Sequence, residues 1–490
     1  MSREDPELAS RQKPEIEKRG GAEDQSLPLS DLSVSSRSPP ALRADPGLPF
    51  LEMAWSPSQM QEFLNRQVLP SVWPGQQVAA VAIDEMHYTP GKQCEITYSL
   101  QFADPTRGQT RWAVATFANE NELGEIYRHH YGAERGTVAG SAPRPVVFLP
   151  AYGCLVEFFP VDWALPFLPR ALEPREVASL LSGNGAEGER SPGLPKIEVL
   201  RYAHHSRCVL RYILEVSGSG APQEVIGKVH RSGALTAQVA QTQSILQPQG
   251  AAYGLIIPKP LRVVEEWGLL LMECVPGATL KAVVEQASAP QQFKEVISLA
   301  AAALASLHRL RFEGQKVRSL QSRLKKLHRQ AASLHLVAPL LAQEAEALLQ
   351  QIAQLGAHSP EVAPCFLHGD FGPGQLLLEK DQMAIVDFDT VSRGDPAMDV
   401  GHFMARLHRL AVSSRAGDEF RQLATYFLSE YQARAPENRV AERIHLFLSA
   451  ALVRLALREF ERWPHKYSQA GPDLLPALLL QEAAVCLSHH

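Results

Sequence analysis

The rhythm of hydrophobic and polar positions divides this chain into unlike parts. From about 196 to 275, β-branched and aromatic residues fall between turn signals, the pattern of short strands. From about 278 onward, apolar residues recur at helical spacing. They do so in FKEVISLAAAALASLHRL, in SRLKKLHRQAASLHLVAPLLAQEAEALLQQIAQL and through most of 396–490. A strand-rich island at 364–389 interrupts those helices. Residues 1–50 carry seven of the 36 prolines, with many serines and charges, and read as a disordered tail. A second break, LSGNGAEGERSPGLP, lies at 181–195.

Similar patterns stand on either side of that break. HYTPGKQCEITYSLQF precedes it and RYAHHSRCVLRYILEV follows it. Tyr88, Cys94, Tyr98 and Leu100 align with Tyr202, Cys208, Tyr212 and Leu214 at a constant offset of 114. Downstream, LVEFFP (155–160) echoes LMECVP (271–276), and WAVATF falls opposite EVIGKV after a two-residue insertion. A duplicated strand-rich unit is the expectation.

Composition narrows the classes. With 45% hydrophobic and 21% charged residues, the 490-residue chain has material for sizeable cores. Its net charge of −5 leaves no basic nucleic-acid footprint. The six cysteines come no closer than 54 residues, which excludes paired zinc-ligand spacing and points to reduced thiols. No apolar leader opens the chain, and no run of about 18 apolar residues appears. The expectation is a cytoplasmic protein with no nucleic-acid or membrane partner.

The chemistry concentrates in FLHGDFGPGQLLLEKDQMAIVDFDTVSRGDPAMDVG, 366–401. Short apolar runs flank a Gly-rich loop presenting His368, Asp370 and Gln375. A second apolar strand ends in Asp387 and Asp389. Two carboxylates and an amide suit a hard divalent cation such as Mg²⁺. They equally suit a division of labour, one carboxylate orienting a hydroxyl while the other holds metal.

This stretch resembles the catalytic and metal loops of the aminoglycoside phosphotransferase and choline kinase-like family. The match runs through His368, Gly369, Asp370, Asp387, Phe388, Asp389, Gly394, Asp395, Pro396 and Asp399. A looser resemblance covers about 196–490. It implies an α+β, two-lobe protein-kinase-like fold with an antiparallel-sheet N-lobe and a mainly helical C-lobe. Here that fold is preceded by a second strand-rich, N-lobe-like domain. The implied domains are a tail over 1–50, a degenerate N-lobe-like unit plus linker over 51–190, an N-lobe over 191–277 and a C-lobe over 278–490. The resemblance implies catalytic roles for Asp370 and His368. It implies ATP binding through Lys228 and the hinge residues Glu273 and Cys274. Asp387, Gln375 and Asp389 would bind Mg²⁺, and Asp399 would be structural. The implied activity is ATP-dependent phosphoryl transfer to a small-molecule hydroxyl.

Three departures favour a rival, a pseudokinase-type nucleotide-binding or regulatory module. Gln375 replaces the family's asparagine. No Asp or Glu lies between Lys228 and Glu265 to pair with that lysine. The turn YAHHS stands where a glycine-rich phosphate cradle would be, and Thr116 falls where the upstream copy would need its lysine. A protein kinase proper is disfavoured by the absence of an Ala-Pro-Glu signature. The C-terminal helices show no clear acidic cluster, so nothing points to a polycationic acceptor.

Overall fold

The computed structural model describes residues 42–488 apart from 105–111, 133–144, 183–192, 216–221, 286–292, 313–315, 361, 380–381, 465 and 467–474. The expected tail ends before residue 50. Asp45 accepts hydrogen bonds from the Tyr88 hydroxyl and from Gly91 N, both at 2.7 Å, and Leu48 is buried. Residues 1–41 lie outside the described residues. Helical turns follow from Leu51 to Val72 and bury Met60, Phe63, Leu64 and Val68. Their apolar spacing of three and four is helical, so this segment is not part of the strand-rich unit.

Two five-stranded antiparallel sheets share one topology. The first contains β1 (Val78–Thr89), β2 (Gln93–Phe102), β3 (Trp112–Ala118), β4 (Val146–Leu149) and β5 (Cys154–Phe158), with helix α1 (Glu120–Tyr131) between β3 and β4. The second contains β6 (Lys196–Ala203), β7 (Arg207–Leu214), β8 (Gln223–His230), β9 (Pro260–Val264) and β10 (Leu269–Glu273), with α2 (Gly233–Ala251) in the same place. Both run first-second-third-fifth-fourth across the sheet. Tyr88 pairs with Cys94 as Tyr202 pairs with Cys208. Both cysteines and the following tyrosines, Tyr98 and Tyr212, point into cores. The duplication is therefore structural.

One detail of the repeat differs from the sequence alignment. Thr116 pairs with Leu155, and Lys228 pairs with Leu270. Leu155 therefore corresponds to Leu270, one residue before the LMECVP alignment. The turns before β5 and β10 set this register. Each ends in a left-handed glycine, Gly153 at φ +50° and Gly268 at φ +60°. A Cβ on Gly268 would lie 2.4 Å from the His230 carbonyl oxygen, so only glycine fits.

The two sheets are packed differently. The inner face of the first joins a continuous core with the C-terminal helices, and Tyr88 meets Phe460. The second sheet is covered by Leu165, Leu168, Ala171 and Val177 from the segment linking the sheets. After β10 the chain enters the helical lobe: α3 (Lys294–His308), α4 (Leu320–Ser333), α5 (Pro339–Gly356), α6 (Ala397–Ser413), α7 (Gly417–Arg434), α8 (Ile444–Arg462) and α9 (Leu475–Ser488). Short strands β11 (Cys365–Leu367), β12 (Leu376–Glu379) and β13 (Gln382–Ile385) carry the loops of interest. An antiparallel sheet with one helix, followed by a helical lobe with such a loop pair, is the two-lobe kinase-like fold. Among the described residues, no helix is long and apolar enough to cross a membrane.

A polar clamp joins the two sheets at the β6–β7 turn. His205 Nδ1 lies 3.1 Å from Glu95 and its Nε2 lies 2.8 Å from Glu157. Both ring nitrogens must donate to carboxylates, so this imidazole is charged. Burial pulls its pKa down, but Glu157 and Glu95 outweigh burial and hold it well above the usual value. For Glu95, burial raises the pKa, and bonds from His204 and His205 reverse the shift and hold it well below the usual range. Asp162 accepts from His205 N and from the Tyr202 hydroxyl, both at 2.9 Å. The turn that would cradle phosphate is thus fastened to the upstream sheet.

His205→Gln should cost about 1–3 kcal/mol, because it removes the cationic partner of buried Glu157, which keeps the bonds from the Tyr131 hydroxyl and Trp163 N on its other oxygen. The raised pKa means His205 contributes fully below about pH 6.5 and loses its contribution as pH rises through the folded value. Wild type should therefore weaken above about pH 6.5, and the variant should show a flatter alkaline limb. Denaturant unfolding across that range is the check.

Candidate active site

The first loop is shaped by Asp399, in the opening turn of α6. Its carboxylate accepts from His368 N at 2.7 Å and from Gly369 N at 2.9 Å. Gly369 sits at φ +84°, and a Cβ there would lie 2.3 Å from the Thr390 carbonyl oxygen. Asp399 therefore holds a turn that only glycine can make, as its expected structural role required. His368 is fully buried. Its Nε2 donates to the Val386 carbonyl at 3.0 Å, and its ring lies near Phe371 and Phe388. This places the imidazole as a brace between the two loops. Among the described residues the ring makes no hydrogen bond to Asp370, Asp387 or Asp389, the carboxylates of the two loops.

Asp370 follows this turn and is partly exposed. Arg454 lies 3.2 Å and Arg406 3.9 Å from the same oxygen, Oδ1. Oδ2 makes no hydrogen bond or ion pair among the described residues. Burial would raise the Asp370 pKa, but Arg454, Arg406 and Arg458 hold it below the usual carboxylate value. This carboxylate is charged at neutral pH and has one oxygen free.

The second loop leaves β13 through Asp387, a non-glycine residue at φ +71°. Such a backbone costs of the order of 1–3 kcal/mol and persists where surrounding contacts impose it. Those contacts are cationic. Lys228 Nζ lies 2.6 Å from Asp387 Oδ1 and 2.6 Å from Asp389 Oδ1. Arg207 reaches the second oxygen of each carboxylate at 3.2 Å. His230 Nε2 stands 3.5 Å from Asp389. Burial pushes the Asp389 pKa up, and His230 and Lys228 overrule burial and hold it well below the ordinary range. Two cations thus meet two carboxylates in a charge-balanced quartet. Asp389 shares Lys228 with Asp387.

The quartet explains how Lys228 is aligned without a helix glutamate. Gln243 of α2 turns its amide nitrogen toward the Met272 sulfur at 3.9 Å, and no hydrogen bond joins α2 to Lys228 among the described residues. Asp389 holds the lysine instead. Gln375 is half-buried. Its carbonyl accepts from Val386 N at 3.0 Å, and its side-chain oxygen lies over Gly372 beside Arg406. At the hinge, Glu273 accepts from Lys259 N at 3.2 Å, and the Cys274 thiol donates to Glu224 at 3.4 Å. Burial and Glu224 push that thiol up to about 11. Neither hinge side chain joins the Lys228 quartet.

Sequence reasoning did not find Arg207, Arg406 and Arg454. Arg207 carried one available signal, its position directly after the turn that replaces the phosphate cradle. The other two lie on amphipathic helices, where arginine is unremarkable.

Gln375→Asn should lower the Mg²⁺ concentration needed for turnover if the side chain ligates metal. A tenfold gain corresponds to about 1.4 kcal/mol. Indistinguishable Mg²⁺ titrations of two active proteins would remove Gln375 from the ligand set.

Residues 210–437, just under half of the chain, match the model of the phosphotransferase enzyme family. This bears out the resemblance to the aminoglycoside phosphotransferase and choline kinase-like family over that segment. No curated protein matches the chain. Among solved structures, a thermostable mutant of aminoglycoside phosphotransferase APH(4)-Ia is 14% identical, with a TM-score of 0.41, 61% of this chain covered and 95% of that one. Choline kinase from Cryptosporidium parvum is 10% identical, with a TM-score of 0.45 and coverages of 65% and 96%. A choline/ethanolamine kinase family protein from Mesorhizobium loti is 16% identical, with a TM-score of 0.38 and coverages of 64% and 92%.

Proposed function

We propose that the chain is an ATP-dependent phosphotransferase acting on a hydroxyl of a small molecule. The observation that carries this reading is the Lys228–Asp387–Asp389–Arg207 quartet, on a loop braced through His368 to the one that carries Asp370 with one unengaged oxygen. The four carboxylate oxygens of the quartet form a hard donor set, which fits Mg²⁺. Lys228 and Arg207 are suited to phosphate oxygens, and Arg207 supplies charge where a glycine-rich cradle is missing. Asp387 and Asp389 would hold Mg²⁺, which would supply charge neutralisation for the phosphates. Asp370 Oδ2 would take up the acceptor's hydroxyl proton and orient its oxygen. Catalysis of this kind is mainly positioning and electrostatics.

Calorimetry on the full chain should show one Mg·ATP site, and Lys228→Ala should abolish it. Thr116 supplies no charge at the equivalent place in the first sheet, and its hydroxyl has no hydrogen-bond partner. Retained stoichiometric binding by Lys228→Ala would overturn the assignment. The alternative, a nucleotide-binding regulatory module, is favoured by the clamp that fastens the β6–β7 turn. ATP binding without Mg²⁺-dependent turnover of any hydroxyl compound would select it.

A further inference from the structure

The two loops carry two sets of charges, and only one is balanced. The quartet around Lys228 has two cations and two carboxylates. The set around Asp370 does not close. Arg406 comes from α6, Arg454 and Arg458 from successive turns of α8, and Arg323 and Lys326 from one face of α4. Helices α4 and α6 both pack against α8, which brings these side chains together. Asp370 is the carboxylate that Arg454 and Arg406 share. Arg458 and Lys326 make no ion pair among the described residues, and Glu461 acts on both only at longer range. Arg323 donates to Nε2 of His402, a neutral partner. Burial and four surrounding arginines press that imidazole well below its usual pKa, so it adds no charge and no compensation. No ion pair joins this set to the quartet among the described residues.

Five cations outnumber the three carboxylates that act on them, Asp370, Glu461 and Asp399, and the excess is costly. Like charges one helical turn apart repel, and around the four partly buried arginines burial removes water that would screen them, while Lys326 stays exposed. Burial and the neighbouring arginines bring Arg323 down to about 10, and burial does the same to Arg406, where Arg454 and Arg458 add to it against the opposing pull of Asp370. A solvated helix face would not show this. Yet the set is reachable: Arg454 and Arg406 keep 21% and 32% of their side-chain surface exposed. Rigid helices hold several guanidinium groups, whose forked donors match oxyanions, near Asp370, two of them on its Oδ1.

We propose that the acceptor is itself an anion: a hydroxyl compound carrying an oxyanion, with a phosphate monoester the best fit. This rests on the phosphotransferase reading above. The acceptor's oxyanion would sit among Arg458, Lys326 and Arg323, and its hydroxyl at Asp370. The hydroxyl oxygen attacks the γ-phosphorus of ATP, and the bond from that phosphorus to the β,γ-bridging oxygen breaks. ADP departs with the bond's electron pair, and the hydroxyl proton passes to Asp370 and then to solvent. Arg454 and Arg406, on the other oxygen of Asp370, offset the repulsion between the two anionic substrates.

The test uses the full chain with Mg·ATP and matched pairs of acceptors: neutral sugars, the same sugars as phosphate monoesters, sugar acids and aminoglycosides. Phosphate monoesters should exceed their neutral partners at least tenfold in kcat/KM. Sugar acids ahead of monoesters would assign a carboxylate and retain the anionic class. Preference for neutral or cationic acceptors would overturn the proposal. Arg458→Gln and Lys326→Gln, which do not touch Asp370, should each reduce the monoester-to-neutral ratio at least tenfold. An unchanged ratio in both folded variants would also overturn it. If no acceptor turns over, the phosphotransferase reading fails, and binding still decides this one. Calorimetry with a sugar phosphate should then show an affinity that Arg458→Gln weakens at least tenfold. No binding, or displacement of that sugar phosphate by ATP, would overturn the anionic acceptor site.

Discussion

Asp370→Asn should lower turnover by about 10²–10⁴-fold while leaving the fold intact, the range expected when a positioned proton acceptor is lost. The amide keeps the shape but neither attracts the proton nor pairs with Arg454 and Arg406. Because the wild-type carboxyl is held below its usual pKa, it is a weak base, and its larger contribution is to orient the hydroxyl. The sign for pH follows. The ionised form persists down through the ordinary carboxylate value of about 3.9, so the acid limb of activity should lie below that value. Asp387→Ala should abolish turnover differently, since it removes half of the quartet's carboxylate oxygens. Mg·ATP affinity separates the two: it should survive in Asp370→Asn and collapse in Asp387→Ala. Retained turnover in both variants would remove these loops from the chemistry.

The two loops were legible because their residues act locally. His-Gly-Asp and Asp-Phe-Asp each stand on a short strand end, and the polar groups are within a few residues of the turn that aims them. The repeat was legible because alternate inward residues survive in both copies, with Cys94 and Tyr98 mirrored by Cys208 and Tyr212. Its downstream register was not. LVEFFP and LMECVP agree in chemistry, but the left-handed turns at Gly153 and Gly268 fix pairings one residue away. What stayed hidden is long-range. Arg207 reaches Asp389 across 182 positions, and Arg454 reaches Asp370 across 84. An arginine on a helix reads as a solvated face until folding shows what stands opposite. The missing helix glutamate looked like a defect for the same reason, because Asp389 replaces it from another lobe.

That long-range wiring makes Arg443 a residue whose loss should cost heavily in stability. Arg443 is 1% exposed and forms paired bonds to Asp395, Nε to Oδ2 at 2.7 Å and Nη2 to Oδ1 at 2.8 Å. Its other donors meet the carbonyls of Arg439 and Asn438. Asp395 also accepts from Ala397 N at 2.9 Å, so the pair fixes the first turn of α6. Two residues further on, Asp399 holds His368 and Gly369 in place. Arg443→Met should cost about 3–5 kcal/mol, since it strands a carboxylate that has lost its partner. Turnover should fall as well, because the turn aiming Asp370 loses its support. Arg443→Met combined with Asp395→Asn removes the stranded charge and should recover part of the stability without recovering turnover. Denaturant midpoints and single-turnover rates on the two variants separate the contributions. A double variant no more stable than Arg443→Met would show that Arg443 acts through its carbonyl contacts, with the catalytic loop braced independently of Asp395.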